Sequence, residues 1–178
     1  MALLVIEKLQ QHFANDVFDH NSPCGNETVI INRSSLPEVA VFLRDDKELA
    51  FDMPIDCTAI DWLGKREPRF DVLWRLYSTK HHHRLCIKVQ VSAEDTNVPS
   101  LSNIWRGMNW HERECFDMYG IHFVGHPNLQ RILMYDEFIG NPLRKDYPID
   151  RQQPLVPLRE VQEVPTERNI PREEINQP

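Results

Sequence analysis

The chain has 178 residues, enough for one domain of ordinary size with an extension. Its formal net charge of -7, from 27 acidic and 20 basic side chains, argues against a nucleic-acid partner, because phosphate binding needs a clustered positive surface. The first ten residues hold only a short apolar run, and no stretch approaches the roughly 18 apolar residues of a spanning helix. We therefore expect a soluble chain without a secretory signal or a membrane span.

Cysteine usage points to a reducing compartment. The four cysteines lie far apart and no two form a CxxC pair, so the spacings typical of zinc ribbons and iron–sulfur clusters are absent. Single cysteines in apolar runs usually act as small buried hydrophobic side chains. We expect that role for Cys24, Cys57, Cys86 and Cys115, and the sequence leaves two disulfides open as the alternative.

The first part of the chain predicts two helices with a strand between them. Apolar residues at helical spacing predict an amphipathic helix over residues 3–18, ended by a stretch that contains Asn, Pro and Gly. Residues 28–33, TVIINR, are typical of a short strand. A second helix is expected to begin near Ser35, where Glu38 three residues on suggests a capping box.

From residue 49 the apolar period changes to two, which predicts strands. In the first of them, Pro54 cannot donate a ladder hydrogen bond, which places the strand at a sheet edge or gives it a break. Two further strands, at residues 70–76 and 85–91, are joined by the short polar stretch STKHHH. We expect these two to form an antiparallel hairpin.

The second half of the chain predicts a loop, a helix and an extension. Residues 92–103 form a polar loop, and a third helix spans residues 109–119 with a left-handed C-cap at Gly120. We expect an α+β fold for residues 1–140, a two-layer domain with helices packed on a mainly antiparallel sheet. Residues 141–178 contain seven of the thirteen prolines and no glycine, which favours extended chain. This segment is either a disordered tail or, as we expect, an extended proline-rich arm that orders in contact with partner subunits.

The sequence HEREC, at residues 111–115, resembles part of a zinc-protease helix. Such a site needs ligands four residues apart, so His111 and Cys115 are the candidates, and a third ligand would have to come from elsewhere. A small zinc-dependent hydrolase is therefore one alternative. The simpler interpretation, which we favour, is a helix whose charged face forms ion pairs, for example Arg113 with Asp117.

Histidines elsewhere are weaker metal candidates. His81, His82 and His83 lie in the predicted hairpin turn, where adjacent side chains point in different directions, so a solvated turn is the better interpretation. His122 and His126 are predicted to be loop residues, one of them capping a backbone group. No activated nucleophile or phosphate-binding loop accompanies these residues, so we predict no catalytic, cofactor-binding or metal-binding residue in this chain.

Two blocks of sequence resemble a known family. The first, NWHERECFDMYGIHFVGHPNLQRILM at residues 109–134, resembles the signature of the 30 kDa (C-type) subunit of respiratory NADH–quinone oxidoreductase, or complex I. The second, NPLRKDYP at residues 141–148, resembles the second hallmark of that family. The positions carried over as signature or interface residues are Glu112, Arg113, Glu114, Asp117, Gly120, His126, Pro127, Arg131, Pro142, Leu143, Arg144, Lys145, Asp146, Tyr147 and Pro148.

The resemblance implies a structural subunit in the peripheral arm of a proton-translocating complex. That complex would transfer electrons from NADH through FMN and iron–sulfur clusters to quinone, while this chain would bind none of these cofactors. The expected partners are the D-type subunit that helps form the quinone pocket, on a separate chain, and neighbouring iron–sulfur subunits. The expected location is the cytoplasmic side of the bacterial inner membrane, as a peripheral membrane protein.

The charges of the two blocks suggest a physical role. Buried charges are costly unless paired, so we expect Glu112, Arg113, Glu114 and Asp117 to pair with partner charges or with cations of the chain. The candidate cations are Arg131, Arg144 and Lys145. Such pairs would set where the arm leaves the domain. Three alternatives stay open: the matching subunit of a membrane-bound hydrogenase or formate-hydrogen-lyase complex, the zinc hydrolase, and an adaptor that binds peptides along its sheet edge.

Overall fold

The computed structural model describes residues 2–22 and 26–156. In this part of the chain none of the helices is long and apolar enough to cross a membrane. The elements, in chain order, are α1 (Ala2–His12), β1 (Val17–Asn21), β2 (Glu27–Ile31), α2 (Leu36–Asp45), β3 (Met53–Asp61), β4 (Phe70–Ser78), β5 (His83–Val91), β6 (Asn97–Pro99), α3 (Met108–Tyr119) and β7 (His122–Val124), with a 3₁₀ turn at Arg33–Ser35.

A five-stranded sheet forms the centre of the domain. Its strands lie in the order β1-β2-β5-β4-β3, and every neighbouring pair is antiparallel except β2 and β5, which are parallel. The predicted hairpin is confirmed as β4 and β5, which pair from Phe70 with Val91 to Ser78 with His83. A separate two-stranded parallel sheet joins β6 to β7. The α+β fold with a mainly antiparallel sheet is therefore confirmed.

The edge position of β3 follows from its sequence. Pro54 has no N–H to donate, and β3 pairs with β4 alone, at the end of the sheet. The register also shifts between Pro54 and Asp56, so the strand has both the edge location and the break that proline predicts.

The three helices pack on one face of the sheet. Val72 and Trp74 of β4 and Ile87 of β5 point to this face and are fully buried. They belong to a single apolar core with Leu9 of α1 and Leu43 of α2. From α3 and the strand that follows it, Cys115 and Phe123 join the same core. Alternating apolar residues on the central strands thus bury one sheet face against amphipathic helices.

Four local predictions were wrong. His122, predicted to be a loop residue, begins β7. The first helix ends at His12, and residues 17–21 form β1, because pairing with β2 decides the conformation of a segment whose apolar spacing suits helix and strand alike. Ser35 forms no capping box: its hydroxyl donates to the Asn32 carbonyl at 3.0 Å instead. The loop predicted at residues 92–103 contains β6, a strand formed by long-range pairing with β7.

The chain that follows β7 lies against the domain as far as residue 156. Residues 125–156 contain turns and extended chain without a helix or strand. Their backbone is held to α3 and to the β3 end by hydrogen bonds, including Leu143 N–H to the Met118 carbonyl at 3.1 Å. The remainder of the predicted arm, residues 157–178, lies outside the described residues. The boundary placed between residues 140 and 141 stays a prediction.

Candidate functional site: an ion-paired joint between α3 and the C-terminal segment

The joint begins where α3 ends. Gly120 has φ +75°, the left-handed conformation that terminates the helix, as the sequence predicts. A Cβ at this position would lie 2.7 Å from Oδ1 of Asn141, so glycine is required for space as well as for φ. The amide group of Asn141 in turn donates to the carbonyls of Phe116 at 3.3 Å and Asp117 at 2.9 Å. The second sequence block therefore caps the helix formed by the first.

Asp117 is the centre of the joint. Its side chain is fully buried and receives Nη1–H of Arg131 at 2.6 Å. The backbone N–H groups of residues 132–134 also donate to it, at 2.9 to 3.1 Å. Burial by itself would raise the pKa of Asp117, but the four donors outweigh it and lower that pKa below its ordinary value. The predicted ion pair between Arg113 and Asp117 is therefore wrong.

Glu112 is a buried carboxylate that forms no ion pair within the described chain. Its oxygens accept hydrogen bonds from the Ser100 hydroxyl at 2.5 Å and the Leu101 N–H at 2.7 Å. Burial raises the pKa of Glu112 to about 7, although both hydrogen bonds favour the charged form. The ion pair expected for this residue is therefore wrong. Glu112 instead connects α3 by hydrogen bonds to the loop that follows β6.

The other charged residues of the first block differ in their surroundings. Arg113 donates to the carbonyls of Gln130 at 3.1 Å and Arg131 at 3.2 Å, and its guanidinium carbon lies 5.2 Å from the Trp110 ring centroid. Glu114 is exposed and forms no ion pair with a described residue, so its expected pairing with a partner charge stays a prediction. Arg113 therefore stabilises the joint, whereas Glu114 is a surface charge.

His126 and Pro127 lie in the turn after β7. Nε2 of His126 is 3.1 Å from the Asn109 carbonyl, and its Nδ1 accepts the Asn128 N–H at 3.1 Å, which assigns the proton to Nε2. The predicted role of one histidine in capping a backbone group is thus confirmed for His126. Burial lowers the pKa of His126 below its ordinary value. Pro127 is exposed beside it.

A second charge network, in which Arg69 and Asp61 are buried, holds the other block, and the sequence did not reveal it. Arg69, just before β4, donates two hydrogen bonds to Asp61 at 2.7 and 2.8 Å and a third to Asp146 at 2.9 Å. The backbone N–H of Lys145 also donates to Asp61, at 2.9 Å. Hydrogen bonds from Arg69 lower the pKa of Asp61 to about 2 and hold that of Asp146 well below its usual range.

The ion pair between Asp61 and Arg69 could have been predicted from the positions of the two residues in the sequence. The end of β3 and the start of β4 meet across the sheet, where Asp61 pairs with Phe70, so opposite charges at these ends could have been matched. Nothing in the sequence indicated that Asp146, 77 residues after Arg69, would join them.

The remaining residues of the second block cover this network. The Arg144 guanidinium lies 5.1 Å from the Phe70 ring centroid, and its Nε donates to Asp146 at 3.3 Å. Tyr147 stacks on Phe138 with centroids 6.0 Å apart. Three positions of the block reach outward: Leu143, the side chain of Lys145, and Pro148 are exposed, whereas Pro142 is half-buried. Lys145 thus contributes its backbone and not the ion pair expected of its side chain.

The candidate metal ligands do not converge. Cys115 is buried, its neighbour on the motif, His111, is half-buried, and no group of three or more His, Cys, Asp or Glu side chains in residues 2–22 and 26–156 is placed to hold a metal ion. Cys57, Cys86 and Cys115 are free thiols, and burial raises the pKa of Cys57. Cys24 lies outside the described residues.

The histidines of the hairpin are not all solvated. The ring nitrogens of His83 are buried, and its ring centroid is 4.6 Å from that of Phe51. The interpretation of a solvated turn is therefore wrong for His83, which begins β5. His81 contacts the Lys47 carbonyl at 3.0 Å, and His82 contacts the Tyr77 hydroxyl at 2.9 Å.

Comparison with known proteins identifies the family. The family model described as "Respiratory-chain NADH dehydrogenase, 30 Kd subunit" matches residues 29–153. The chain belongs to this family. A relative from Roseiflexus castenholzii (strain DSM 13941 / HLO8), named as the C-type subunit of NADH-quinone oxidoreductase, is 43% identical over 149 residues, which cover 84% of this chain and 85% of the relative.

Solved structures share the fold of this 30 kDa-subunit family member. The Nqo5 trypsin-resistant fragment (1–134) superposes with a TM-score of 0.61 at 27% identity, covering 72% of this chain and all of that fragment. A chain of the membrane-bound sulfane sulfur reductase, an archaeal respiratory membrane complex, superposes with a TM-score of 0.67 over 83% of this chain and 85% of its own length. At 17% identity the second match shows the fold alone.

Within the matched region of the 30 kDa-subunit family lie α3, the joint and the second charge network. Residues 29–153 include Asp117, Arg131 and Asp146. The two blocks are therefore one structural unit: the first provides a capped helix with a buried acceptor, and the second is clamped across the end of that helix and onto the sheet. The buried polar groups of this arrangement form hydrogen bonds within the chain. Its role is therefore to hold a polypeptide surface in a fixed position.

Proposed function

We propose that this chain is a structural subunit of the peripheral arm of NADH–quinone oxidoreductase, with no redox cofactor of its own. FMN, iron–sulfur clusters, NADH and quinone would be bound by other subunits, and the electron transfer would belong to the whole complex. Membership of this family supports the proposal that the chain is a subunit of a larger complex. The name of the Roseiflexus relative, a subunit of NADH-quinone oxidoreductase, supports the choice of complex.

The observation that carries the proposal is a rigid segment that exposes large apolar side chains. Residues 131–134 donate hydrogen bonds to the buried Asp117 carboxylate, and Asn141 and Leu143 donate to backbone carbonyls at the end of α3. Even so, Leu133, Ile139 and Leu143 are 57%, 51% and 52% exposed. Ordering a segment costs conformational entropy, and exposing apolar side chains on it gains nothing in the isolated chain. A partner surface that buries them accounts for both features.

We assign this surface to the D-type subunit of the quinone pocket and to neighbouring iron–sulfur subunits. The arm, from Asn141 onward, would contact the same partners through the apolar side chains that it exposes while attached to its own domain, such as Ile149 and Leu155. The chain would then lie on the cytoplasmic side of the bacterial inner membrane, attached through its partners. The contact between its apolar side chains and theirs would be the main source of affinity.

A mild-detergent pull-down of the tagged chain from its native membranes tests the proposal. The eluate should contain flavin and iron–sulfur subunits and NADH–quinone reductase activity. Recovery of the chain alone would contradict the assembly. Co-elution with hydrogenase subunits and no NADH-oxidising subunit would replace NADH–quinone oxidoreductase by a membrane-bound hydrogenase complex.

A matched pair of variants tests the surface itself. Leu143→Glu places a charge on the proposed interface, and Val41→Glu places one on an exposed apolar residue of α2, which is 39% exposed. We expect the first to lower co-eluting reductase activity by roughly tenfold, because a charge in an apolar contact costs at least about 1.4 kcal/mol, and the second to leave it unchanged. Equal effects of the two variants would show that residues 131–143 are not part of the interface.

A further inference from the structure

The central sheet has a second face, opposite the helices, which we call the open face. It carries Ile30, Ile60, Leu73, Arg75, Arg84 and Lys88, which strand register places on the same side. These side chains are half-buried or exposed, whereas those on the helix side are buried. In the described part of the chain the three helices contribute to the core on the other side. Apolar residues such as Ile60, 38% exposed, therefore face outward from a central sheet.

The carboxylates of strands β2 to β5 on the open face are already neutralised. Asp71 is fully buried, hydrogen-bonded to Arg66 and Trp62, with Nζ of Lys88 3.4 Å away. Asp56 is paired with Arg75. The open face of these strands therefore carries a small excess of positive charge, three cations against two carboxylates, although the whole chain carries a formal charge of -7. This local reversal of sign favours a negatively charged partner.

One cation of the open face is free within the described chain. Arg84 is exposed and forms no ion pair with a described residue; its guanidinium carbon lies 5.9 Å from the Tyr77 ring centroid. The Arg75 side chain is 56% exposed despite its ion pair. Both guanidinium groups present planar donor edges, which bind carboxylates with two parallel hydrogen bonds.

A groove of about 380 Å³ runs between these two arginines. Ile55, at the register shift of β3, and Cys86 of β5 contribute to its lining. Glu27 of β2 also lines it, with a carboxylate that accepts the Ser22 hydroxyl at 2.7 Å. Its size suits one apolar side chain of a polypeptide, and its rim suits acidic residues on either side.

We propose that the open face docks an acidic segment of a neighbouring subunit. Carboxylates of that segment pair with Arg84 and Arg75, and an apolar side chain between them enters the groove. The inference rests on the proposed function for the presence of a neighbour, and it adds a second docking surface, separate from residues 131–143 and on the other side of the sheet. The chain would then join two partners.

A zero-length coupling experiment on the assembled complex tests this directly. A carbodiimide condenses an amine with a carboxylate into an amide with loss of water, so Arg84→Lys places a reporter amine at the groove. Arg106→Lys, at an exposed arginine before α3, is the matched control. Mass spectrometry of the tagged complex should find position 84 joined to an Asp or Glu of another subunit, and the yield should fall as salt screens the contact.

The outcomes separate this proposal from the proposed function. If reductase activity co-purifies with Arg84→Lys and position 84 couples to no other subunit, the open-face proposal is overturned while the assembly stands. Coupling to glutamates within residues 157–178 of this chain would also overturn it. If no redox subunit co-purifies with the wild type, the proposed function fails first.

A charge reversal provides the second measurement. Arg84→Glu should lower co-purifying reductase activity roughly tenfold, with Arg106→Glu unchanged, because like charges across an interface repel. Thermal unfolding of the isolated Arg84→Glu chain should match that of the wild type, since Arg84 forms no ion pair within the described chain. Unchanged co-purification with Arg84→Glu would contradict the proposal.

Discussion

Asp117 on α3 and Arg131 in the segment after β7 are joined by a 2.6 Å ion pair in which the carboxylate is fully buried. Three consecutive backbone N–H groups complete the set of donors around the same carboxylate. The pair therefore fixes the direction of the chain after the second sheet, and the exposed apolar side chains of residues 131–143 depend on it for their placement.

Replacing the carboxylate should destabilise the domain. Asp117→Asn leaves Arg131 without its counter-charge and one backbone donor without a good acceptor, so we expect the free energy of unfolding in urea to fall by roughly 3 kcal/mol. Asp136→Asn, at an exposed aspartate of the same segment, is the control and should change it by less than about 0.5 kcal/mol. Similar values for the two variants would mean that the ion pair contributes nothing to stability.

The raised pKa of Glu112, about 7 against an ordinary 4.5, makes stability depend on pH. Between these values the folded protein holds the proton more than the unfolded chain does, so the contribution is present below pH 4.5 and is lost as the pH rises through 7. As the pH rises through this window, we expect the free energy of unfolding of the wild type to fall relative to that of Glu112→Gln. The expected fall is up to about 3 kcal/mol. Glu114→Gln, at an exposed position, should show no such shift.

Gly120→Ala should separate backbone strain from crowding. The variant places a Cβ 2.7 Å from Oδ1 of Asn141, while Gly64→Ala has a similar φ of +72° and nothing within 4 Å. We expect Gly64→Ala to cost about 1 kcal/mol, from the left-handed conformation alone, and Gly120→Ala to cost about 1–3 kcal/mol more. Chemical denaturation of both variants measures the difference; equal costs would show that Asn141 moves aside freely.

The ion pair between Asp146 and Arg69 should protect the C-terminal segment from protease. In the wild type we expect trypsin to cut first at or beyond the exposed Arg151, with Arg144 and Lys145 protected by their hydrogen bonds to Asp146 and Asp61. Asp146→Asn weakens this attachment and should raise the rate of cleavage at Arg144 and Lys145 by roughly tenfold. Asp150→Asn, an exposed neighbour, is the control. Equal rates in wild type and Asp146→Asn would show that the segment is held by other contacts.

Sequence alone was sufficient for elements whose signal is local. The alternation of Phe70, Val72, Trp74 and Leu76 predicted a strand, and Gly120 predicted the end of α3. Pro54 predicted the sheet edge because a missing N–H has the same effect in any surroundings. These features depend on periodicity, dihedral preference and hydrogen-bonding capacity, which each residue carries with it.

Tertiary structure decided the features that depend on which distant residues meet. Residues 17–21 became a strand because β2 lies beside them, and Asp71 is fully buried although it lies on the open face of the sheet. Asp117 pairs with Arg131, 14 residues away, in place of Arg113 one helical turn away. The preference of a carboxylate for a cation is set by chemistry, but burial multiplies its strength, and burial is a property of the packed chain. Sequence therefore determined which groups needed partners, and only the fold determined which partner each one found.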